Sequence, residues 1–475
     1  MFRKFFYNTF SIYIILTILA FIIRYFYLED RESWHDEWHS IYVSDPSISF
    51  SETMKRFYGD KGDTILPEYY PPLYLFILKY TFFIFGYVDQ VGRLLSIVAG
   101  TLIIPASIYL SSFFLEKKQS FFLGLLLIFN LFLFWQSAEI RAHSILVLSS
   151  LISIILFIKL LNNKNLFIFV LYFFFSIYVL SLWPITGTIY FGKTIFIINK
   201  FFIKKKLELR ILIVFTLILL TYLILNKNYL IYNLARDYHY TSLYDSFFYN
   251  YHFRTFFGSK FLGGIYLLIF GVFFLSSFKK LILKSSYENL LIYIILSSYF
   301  LTLAYSIFRA PIMSPKYVIF ILPLILIWIT INFSKYKNGL IYSFILTMIT
   351  IIFFIINIHN YPMKRPPMTD VLKIIINNNS KNIIIQDTDV FKNYVKTKKI
   401  FQDYNMLLLE NQNTQDSNIN SIWFICLNNP RYVVGDKKLE DSKSCRNFKL
   451  NDLNFSLDNT YKLTDFLLKN YKRKN

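Results

Sequence analysis

Apolar runs long enough to cross a lipid bilayer recur along most of this 475-residue chain. A hydrocarbon layer about 30 Å thick needs roughly 20 mostly apolar helical residues. Hydrophobic residues make up 55% of the sequence, and the mean hydropathy is +0.44, so the apolar surface exceeds what one soluble core can cover. The pattern predicts an α-helical polytopic membrane protein with about eleven transmembrane helices, at residues 8–28, 94–115, 120–136, 144–161, 166–183, 185–201, 211–226, 261–278, 289–307, 317–333 and 339–357.

One further apolar run, Pro71 to Tyr87, has borderline length and carries Lys79 near its middle. A lysine at the bilayer centre costs about 2.5 to 3.5 kcal/mol. We therefore expect an interfacial helix at 71–87, within a long outer loop at 29–93. The chain would then consist of a transmembrane domain, residues 1–357, and a soluble C-terminal domain, residues 358–475.

Basic residues between the apolar runs predict the orientation. Loops assigned to the inside hold about twice as many Lys and Arg residues as the longer loops assigned to the outside. Arg3 and Lys4 precede the first span. We therefore place the N-terminus in the cytoplasm and the C-terminal domain on the other side of the cell membrane. This topology also accounts for the formal net charge of +21 without a nucleic-acid partner.

The C-terminal region has the pattern of a small α/β domain. Apolar stretches at 382–386 and 422–427 are typical of buried strands, and capping residues begin predicted helices at 369–376 and 464–470. The cytoplasmic loops are too short for a nucleotide-sugar-binding domain, and no Gly-rich phosphate loop occurs. Any chemistry is therefore expected on the outer side.

Both cysteines of the chain, Cys426 and Cys445, lie in this region. In an oxidising compartment their spacing suits one disulfide bond. Two free thiols are the alternative.

A polar cluster with two tryptophans, Ser33–Ser40, follows the first span. Tryptophan favours the membrane interface, so Asp36 and Glu37 are expected at the depth of the lipid headgroups. A carboxylate there is partly desolvated, which suits it to act as a general base; an ordinary acidic loop is the alternative. With His35 and His39 these carboxylates could bind a divalent metal, although four neighbouring residues rarely satisfy metal geometry. We expect no required cofactor.

Two further polar clusters interrupt the apolar runs. Glu139 and Arg141 separate two spans with almost no loop, where burial is costly unless the charges pair or bind something polar. Arg309 and Lys316 flank two prolines at an outer helix end, where cations can also bind lipid headgroups. One interfacial carboxylate and outer cations would suffice for sugar transfer from a phosphate, because the departing phosphate needs charge stabilisation and no proton donor.

Short motifs occur in a characteristic order along residues 34–323. Trp34-His35-Asp36-Glu37 resembles the acidic pair in the first outer loop of integral-membrane glycosyltransferases of the GT-C superfamily. Tyr70-Pro71-Pro72-Leu73-Tyr74 and the stretch from Gly86 to Arg93-Leu94-Leu95-Ser96 resemble the His-Pro-Pro-Leu-Tyr box of that family and the segment after it. Ser137-Ala138-Glu139-Ile140-Arg141 is similar to its Ser-Gln-Glu-Ala-Arg motif, and Lys316-Tyr317 with Pro323 to its late Arg-Tyr and proline pattern.

This resemblance is to protein mannosyltransferases and to lipid A and lipopolysaccharide sugar transferases. It implies inverting transfer of a sugar from a polyprenyl-phosphate donor to an acceptor hydroxyl on the non-cytoplasmic face. The acceptor would be a glycolipid, lipopolysaccharide, another polysaccharide of the cell envelope or a protein. The resemblance assigns site roles to six residues: Asp36 as the base, Glu37 and Glu139 lining the site, and Arg141, Lys316 and Arg309 holding the carrier phosphate.

Three residues depart from the family pattern. Tyr70 stands where a histidine is usual, His143 where a tyrosine is usual, and Lys316 where an arginine is usual. With Tyr317, they are expected to contact the substrates. Lysine cannot form the bidentate fork that arginine offers to phosphate, so the departure at Lys316 bears most directly on donor binding.

A transporter or flippase for a lipid-linked sugar is the alternative function, and a scaffold without catalysis is a third. Transporters place ionisable groups near the membrane midplane and often show paired halves. Lys79 and Lys193 are the clearest charges within apolar runs. No internal repeat is visible, and the acidic residues gather at one face, which favours the transferase.

Overall fold

The computed structural model describes residues 9–28, 31–58, 71–162, 165–205, 209–234, 252–283, 286–309, 312–360, 365–385, 389–409, 419–427, 450, 454–463 and 466–474. Helices make up most of these residues, and a short 3₁₀ turn, Pro184–Thr186, joins two of them. In chain order the α-helices are α1 Thr9–Leu28, α2 His35–Val43, α3 Phe50–Tyr58, α4 Leu73–Phe85, α5 Asp89–Ser111, α6 Lys117–Ile128, α7 Leu131–Gln136, α8 His143–Asn162, α9 Leu166–Leu182, α10 Gly187–Lys204, α11 Leu209–Leu225, α12 Lys227–Leu234, α13 Arg254–Phe257, α14 Lys260–Leu283, α15 Tyr287–Phe308, α16 Ile321–Ser334, α17 Gly339–Asn357, α18 Met368–Asn377, α19 Asp389–Lys396 and α20 Lys399–Asp403.

The predicted spans coincide with helices. Every predicted span overlaps at least one helix of the described chain. Among the described residues, five helices are long and apolar enough to cross a bilayer, namely α5, α8, α14, α15 and α17, and shorter apolar helices include α1, α9, α11 and α16. Helix α14 exposes large apolar side chains such as Leu268 and Leu275. Lipid is the environment that would cover such surfaces.

Helix α4 corresponds to the run predicted to lie in the interface. Its 13 residues extend for about 20 Å at 1.5 Å per residue, which is short of a hydrocarbon layer of about 30 Å. The ammonium group of Lys79 donates hydrogen bonds to the carbonyl of Ile48 at 2.6 Å and to Oγ1 of Thr53 at 2.8 Å. The length and these contacts agree with an interfacial helix, whose position relative to the membrane stays a prediction.

The predicted span 120–136 is wrong as a single helix. It is split into α6 and α7 at Asn130, whose side-chain oxygen accepts a hydrogen bond from the backbone N–H of Leu133 at 2.9 Å. Asparagine favours such N-cap positions because its short side chain satisfies a free N–H of the first turn. The amide nitrogen of Asn130 donates to the carbonyl of Phe256 at 2.9 Å, which fixes the break by a second contact.

The chain divides into two compact units. The first unit comprises Met1–Leu28, Tyr69–Leu73 and Ser96–Tyr361. The second unit comprises Glu29–Glu68, Tyr74–Leu95 and Pro362–Asn475. Most of the predicted outer loop thus groups with the C-terminal region and not with the transmembrane domain, to which the sequence pattern assigns it. Ion pairs and ring contacts inside the second unit, described below, explain this grouping.

A five-stranded sheet lies in the C-terminal part of the second unit. Its strand order is β2-β1-β3-β5-β4, with β1 parallel to β2 and β3, and β5 antiparallel to β3 and β4. This sheet confirms the expected small α/β region and includes both predicted strands. The strands are β1 Asn382–Ile385, β2 Leu407–Leu408, β3 Ser421–Leu427, β4 Phe455–Lys462 and β5 Phe466–Arg473.

The predicted helix at 464–470 is wrong, because this segment contributes to β5. Strand β5 pairs with β3 on one side and β4 on the other, with Leu468 opposite both Ile425 and Tyr461. Successive residues Phe466, Leu467 and Leu468 are all buried. A strand with neighbours on both sides gains hydrogen bonds and packing that outweigh a local capping signal.

Cys426 lies on β3, where it is buried in the core of the sheet. It is disulfide-bonded, which favours a disulfide bond over two free thiols. Cys445 lies outside the described residues.

Close helix packing in the first unit depends on Gly192. A side-chain carbon added at this position of α10 would lie 2.7 Å from the Cα of Ile294 and 2.7 Å from Oγ of Ser297, both on α15. The hydroxyl of Ser297 also donates to the carbonyl of Thr188 on α10 at 2.8 Å. Small residues that let two helix backbones approach are a common packing device in membranes.

We expect Gly192→Ala to lower the thermal stability of the detergent-solubilised protein, because backbone atoms of α15 cannot move aside cheaply. Overpacking of this kind costs about 1 to 3 kcal/mol. Gly271→Ala is the matched control, since nothing lies within 4 Å of the added carbon on α14, and alanine favours helix more than glycine. Equal melting temperatures for the two variants would contradict this account of the α10–α15 contact.

Candidate active site

Helix α2 carries the predicted catalytic carboxylates in its first turn. Negative charges are favoured there by the positive end of the helix dipole. The backbone N–H of Trp34 donates to Oε2 of Glu37 at 3.1 Å, so Glu37 closes the helix start in the manner of a capping box. Asp36, one residue earlier, stays partly exposed.

Glu37 is fully buried and forms an ion pair with Arg365. The same guanidinium group donates from Nη1 to the carbonyl of Glu32 at 2.7 Å. Arg365 therefore holds the polypeptide on both sides of Trp34. Of the two predicted catalytic carboxylates, the structure gives Glu37 anchoring contacts and leaves Asp36 accessible.

Aromatic packing fixes the same helix. The ring of Trp38 stacks on Tyr394 with centroids 5.2 Å apart and lies 4.9 Å from Phe391, both on α19. Its Nε1 donates to the carbonyl of Ser33 at 3.1 Å. Aromatic pairs of this kind add roughly 0.5 to 1.5 kcal/mol to the burial of their surfaces. Helix α2 is thus held against the helix that follows β1.

A buried lysine joins the first loop to the C-terminal region. The ammonium group of Lys398 lies 2.6 Å from Oε2 of Glu32 and 3.0 Å from Oδ2 of Asp89. Glu32 also accepts hydrogen bonds from the hydroxyl of Tyr394 at 2.8 Å and the backbone N–H of Thr369 at 2.7 Å. These partners supply the pairing that buried charges require.

The contacts shift the acid–base behaviour of the pair. Burial alone would raise the pKa of Glu32, but the charge of Lys398 and hydrogen bonds from Lys398 and Thr369 outweigh it and leave the pKa below its ordinary value. Burial would likewise lower the pKa of Lys398, whereas Tyr394, Asp89 and Glu32 raise it well above the ordinary value. Both groups are therefore charged at neutral pH.

The polar residues around Glu139 and Arg141 form the turn between α7 and α8. Glu139, Arg141 and His143 are each at most 5% exposed. Oε2 of Glu139 lies 3.6 Å from Nδ1 of His143. Arg24 on α1, also buried, donates from Nε to Oγ of Ser137 at 3.1 Å. The turn therefore concentrates charged and polar groups in the interior of the first unit.

Lys316 and Tyr317, which follow the two prolines at the outer helix end, interact with residues of this turn or with their neighbour Trp183. His143 interacts electrostatically with Lys316 as well as with Arg141 and Glu139. The ring of Trp183 lies 5.9 Å from that of His143 and 5.0 Å from that of Tyr317. The structure thus brings together five of the predicted site residues: Glu139, Arg141, His143, Lys316 and Tyr317.

Two predicted site residues, Arg309 and Tyr70, are not among the five described above. Arg309 follows the end of α15 and is exposed. Tyr70 lies outside the described residues. Sequence reasoning also missed four anchoring residues, Arg24, Asp89, Arg365 and Lys398. Their partners lie far away along the chain, and no local pattern marks them.

Lys79 and Lys193, the two charges within apolar runs, donate hydrogen bonds to neutral groups. Lys193 is buried and donates to Oγ of Ser153 at 2.8 Å and to the hydroxyl of Tyr172 at 3.2 Å. Its ammonium group also lies 4.4 Å from the ring centre of Tyr190, a favourable cation–π contact. Lys79 is bonded within its own loop, as described above. These contacts give both lysines a packing role.

Among the residues that the structure describes, no three His, Cys, Asp or Glu side chains are grouped in a way that could hold a metal ion. The structure therefore offers no support for the metal alternative at His35, Asp36, Glu37 and His39. The absence of a required cofactor stays a prediction.

The described helices and strands form an α-helical polytopic membrane protein with a small α/β C-terminal region. Two crystal structures of ArnT from Cupriavidus metallidurans share this fold. The structure bound to undecaprenyl phosphate has a TM-score of 0.51 and the apo structure one of 0.54, each at 10% sequence identity over 96% of this chain and 97% of the other. No protein-family model and no curated protein sequence matches the chain. The likeness confirms the fold expected from the resemblance.

We expect Lys398→Met to destabilise the protein by about 3 to 5 kcal/mol, because it leaves the buried carboxylate of Asp89 and the partly buried carboxylate of Glu32 without their cation. Lys399→Met, which removes the same charge from an exposed neighbour, should have little effect. Thermal unfolding of the purified variants measures both. Similar losses of stability in the two variants would contradict the proposed importance of the buried pair.

The same pair predicts a pH dependence. Since the pKa of Glu32 is lowered in the folded state, its stabilising contribution is present above its ordinary pKa of 4.5 and is lost as the pH falls through the lower folded value. The wild type should therefore lose more stability than Lys398→Met between about pH 5 and about pH 3. Parallel pH profiles for the two proteins would count against this origin of the shift.

Proposed function

We propose that this protein transfers a sugar from a polyprenyl-phosphate carrier to an acceptor hydroxyl on the non-cytoplasmic face of the membrane. The observation that carries the proposal is the cluster of Arg141, Lys316, Glu139 and His143 in the first unit, combined with an accessible Asp36 on an anchored helix. The shared fold adds support, since one ArnT structure was solved with undecaprenyl phosphate bound.

In the proposed reaction, Asp36 accepts the proton of the acceptor hydroxyl as the oxygen attacks the anomeric carbon of the sugar. The bond between that carbon and the phosphate oxygen breaks, and its electron pair leaves with the phosphate. Attack from the face opposite the phosphate inverts the configuration. A phosphate departs as an anion, so one base and positive charges suffice, in contrast to glycoside hydrolysis, where two carboxylates flank the bond.

Arg141 and Lys316 are proposed to hold the carrier phosphate. Arginine can bind two phosphate oxygens at once, whereas lysine provides a compact point charge. Charge that develops on the leaving phosphate is stabilised most strongly in a site from which water is excluded. The ring of Trp183, which contacts His143, and the ring of Tyr317, which contacts Trp183, would help to exclude water.

Glu37 is assigned a positioning role in this proposal. Its carboxylate is occupied by Arg365 and by the start of α2, so it sets the direction of the first helical turn that carries Asp36. Glu139 would line the site and orient His143. The roles of Arg309 and Tyr70 stay those implied by the family resemblance.

The proposed topology puts the N-terminus in the cytoplasm and the reaction outside, in the inner or plasma membrane. This orientation is supported by the distribution of basic residues between spans. Acceptors compatible with it are a glycolipid, lipopolysaccharide, another polysaccharide of the cell envelope or a protein.

We expect Asp36→Asn to abolish product while the protein still inserts in the membrane, since loss of a general base costs about 100-fold to 10,000-fold in rate. A deletion strain would be complemented with wild type, Asp36→Asn or the control Asp370→Asn, which alters an exposed carboxylate on α18. Mass spectrometry of lipids and glycans identifies the product. Normal product with Asp36→Asn would refute the base assignment, and so would equal loss with Asp370→Asn.

We expect Lys316→Ala to raise the KM for the lipid-linked donor by about tenfold or more, the value of a hydrogen bond to a charged group. Lys316→Arg should retain donor binding, because it keeps the charge and adds a second donor. Kinetics with the donor identified in the complementation experiment test both variants. An unchanged KM in Lys316→Ala would argue against a phosphate contact.

A further inference from the structure

A cavity of about 620 Å³ lies in the second unit. Its described lining comes from the last residues of α2 and the following turn, from α3 and α19, and from the carboxyl ends of β1 and β2. Ligand sites have volumes of about 300 to 1,000 Å³. In open α/β sheets, ligands bind outside the carboxyl ends of parallel strands, and this cavity lies at such an edge.

The two sides of the cavity differ in chemistry. The strand ends contribute apolar residues, namely Ile384, Ile385, Leu408 and Leu409. The helices contribute amide and charged groups. A sugar ring presents apolar C–H faces and hydroxyl groups, so it suits a site with apolar walls and a few convergent polar groups.

The charged side chains of the lining leave one excess positive charge, which favours an anion. Arg56, Lys392 and Lys396 contribute three cations, and Asp45 and Asp389 contribute two carboxylates. Both carboxylates are already engaged by neighbours within the second unit. Oδ1 of Asp45 accepts from the N–H and the hydroxyl of Ser47 at 2.9 and 2.6 Å, and Asp389 lies 3.5 Å from the ammonium group of Lys392.

Arg56 has further capacity to bind a ligand. Its guanidinium group lies 4.0 Å from the ring centre of Tyr42 and 3.8 Å from Oδ2 of Asp45. Its Nε lies 3.8 Å from Oε1 of Glu52, and it is buried and donates no hydrogen bond to any described residue. An oxygen of an anionic ligand within hydrogen-bonding distance would satisfy this donor.

We infer that this cavity binds an anionic saccharide, a sugar unit that carries a carboxylate or a phosphate. The inference rests on the proposed function, because it identifies the bound saccharide as part of the acceptor. Helix α2 connects the cavity to the proposed base: Asp36 lies in its first turn and Tyr42 six residues later, about 9 Å along the axis. An acceptor held in the cavity would be close to the proposed base.

Binding is tested with full-length Asp36→Asn protein, which cannot turn over, at low ionic strength to limit screening. The probes are tri-galacturonate and glucose 6-phosphate, their neutral counterparts galactotriose and glucose, and inorganic phosphate, each followed by titration calorimetry. We expect saturable binding of at least one anionic sugar, about tenfold or more tighter than its neutral counterpart. The two anionic sugars distinguish a carboxylate from a phosphate.

The double variant Lys392→Gln/Lys396→Gln should weaken that binding by about tenfold. The matched control Lys381→Gln/Lys399→Gln removes two exposed lysines of the same unit outside the cavity and should leave it unchanged. The inference is overturned if neither anionic sugar binds saturably, if both double variants bind alike, or if inorganic phosphate binds as tightly as the sugar.

The two proposals fail separately. Absence of saccharide binding, with product still abolished by Asp36→Asn in cells, would remove the cavity from the acceptor site and leave the transferase intact. Specific saccharide binding, with normal product from Asp36→Asn, would refute the catalytic base and leave the cavity as a binding site.

Discussion

The ion pairs around Lys398 and Arg365 are the interactions on which the candidate base depends. Lys398 bridges Glu32 and Asp89, and Arg365 binds Glu37, so segments that are far apart in sequence become one compact unit. A buried charge without a partner costs several kcal/mol. The fold must therefore form these ion pairs, and they fix the position of helix α2.

Two neighbouring carboxylates have different environments as a result. Glu37 points into the protein and is neutralised by an arginine, whereas Asp36 remains partly exposed on the same helical turn. The proposed base needs access to substrate, and Glu37, which holds the loop, has a fixed partner in Arg365. The division between them gives the adjacent acidic pair a physical explanation that composition alone does not contain.

Much of the fold could be predicted from sequence because membrane spans are local features. Runs of about 20 apolar residues located the helices, although the polar side chain of Asn130 divided one of them. The segment that forms β5 was mistaken for a helix, because its pairing with β3 and β4 is not visible locally. Of the candidate site, Glu139, Arg141 and Lys316 could be predicted from unusual charges between spans. Lys398 and Arg365 were missed because their significance comes only from tertiary contacts.

The proposed transfer requires that a sugar whose carrier phosphate is held by Arg141 and Lys316 also reach the carboxylate of Asp36. Electron cryo-microscopy of the Asp36→Asn protein with its intact lipid-linked donor tests this requirement. We expect the carrier phosphate within hydrogen-bonding distance of both cations and the anomeric carbon turned toward residue 36. Phosphate bound elsewhere, or a residue 36 too distant to reach a hydroxyl at that carbon, would refute the proposal.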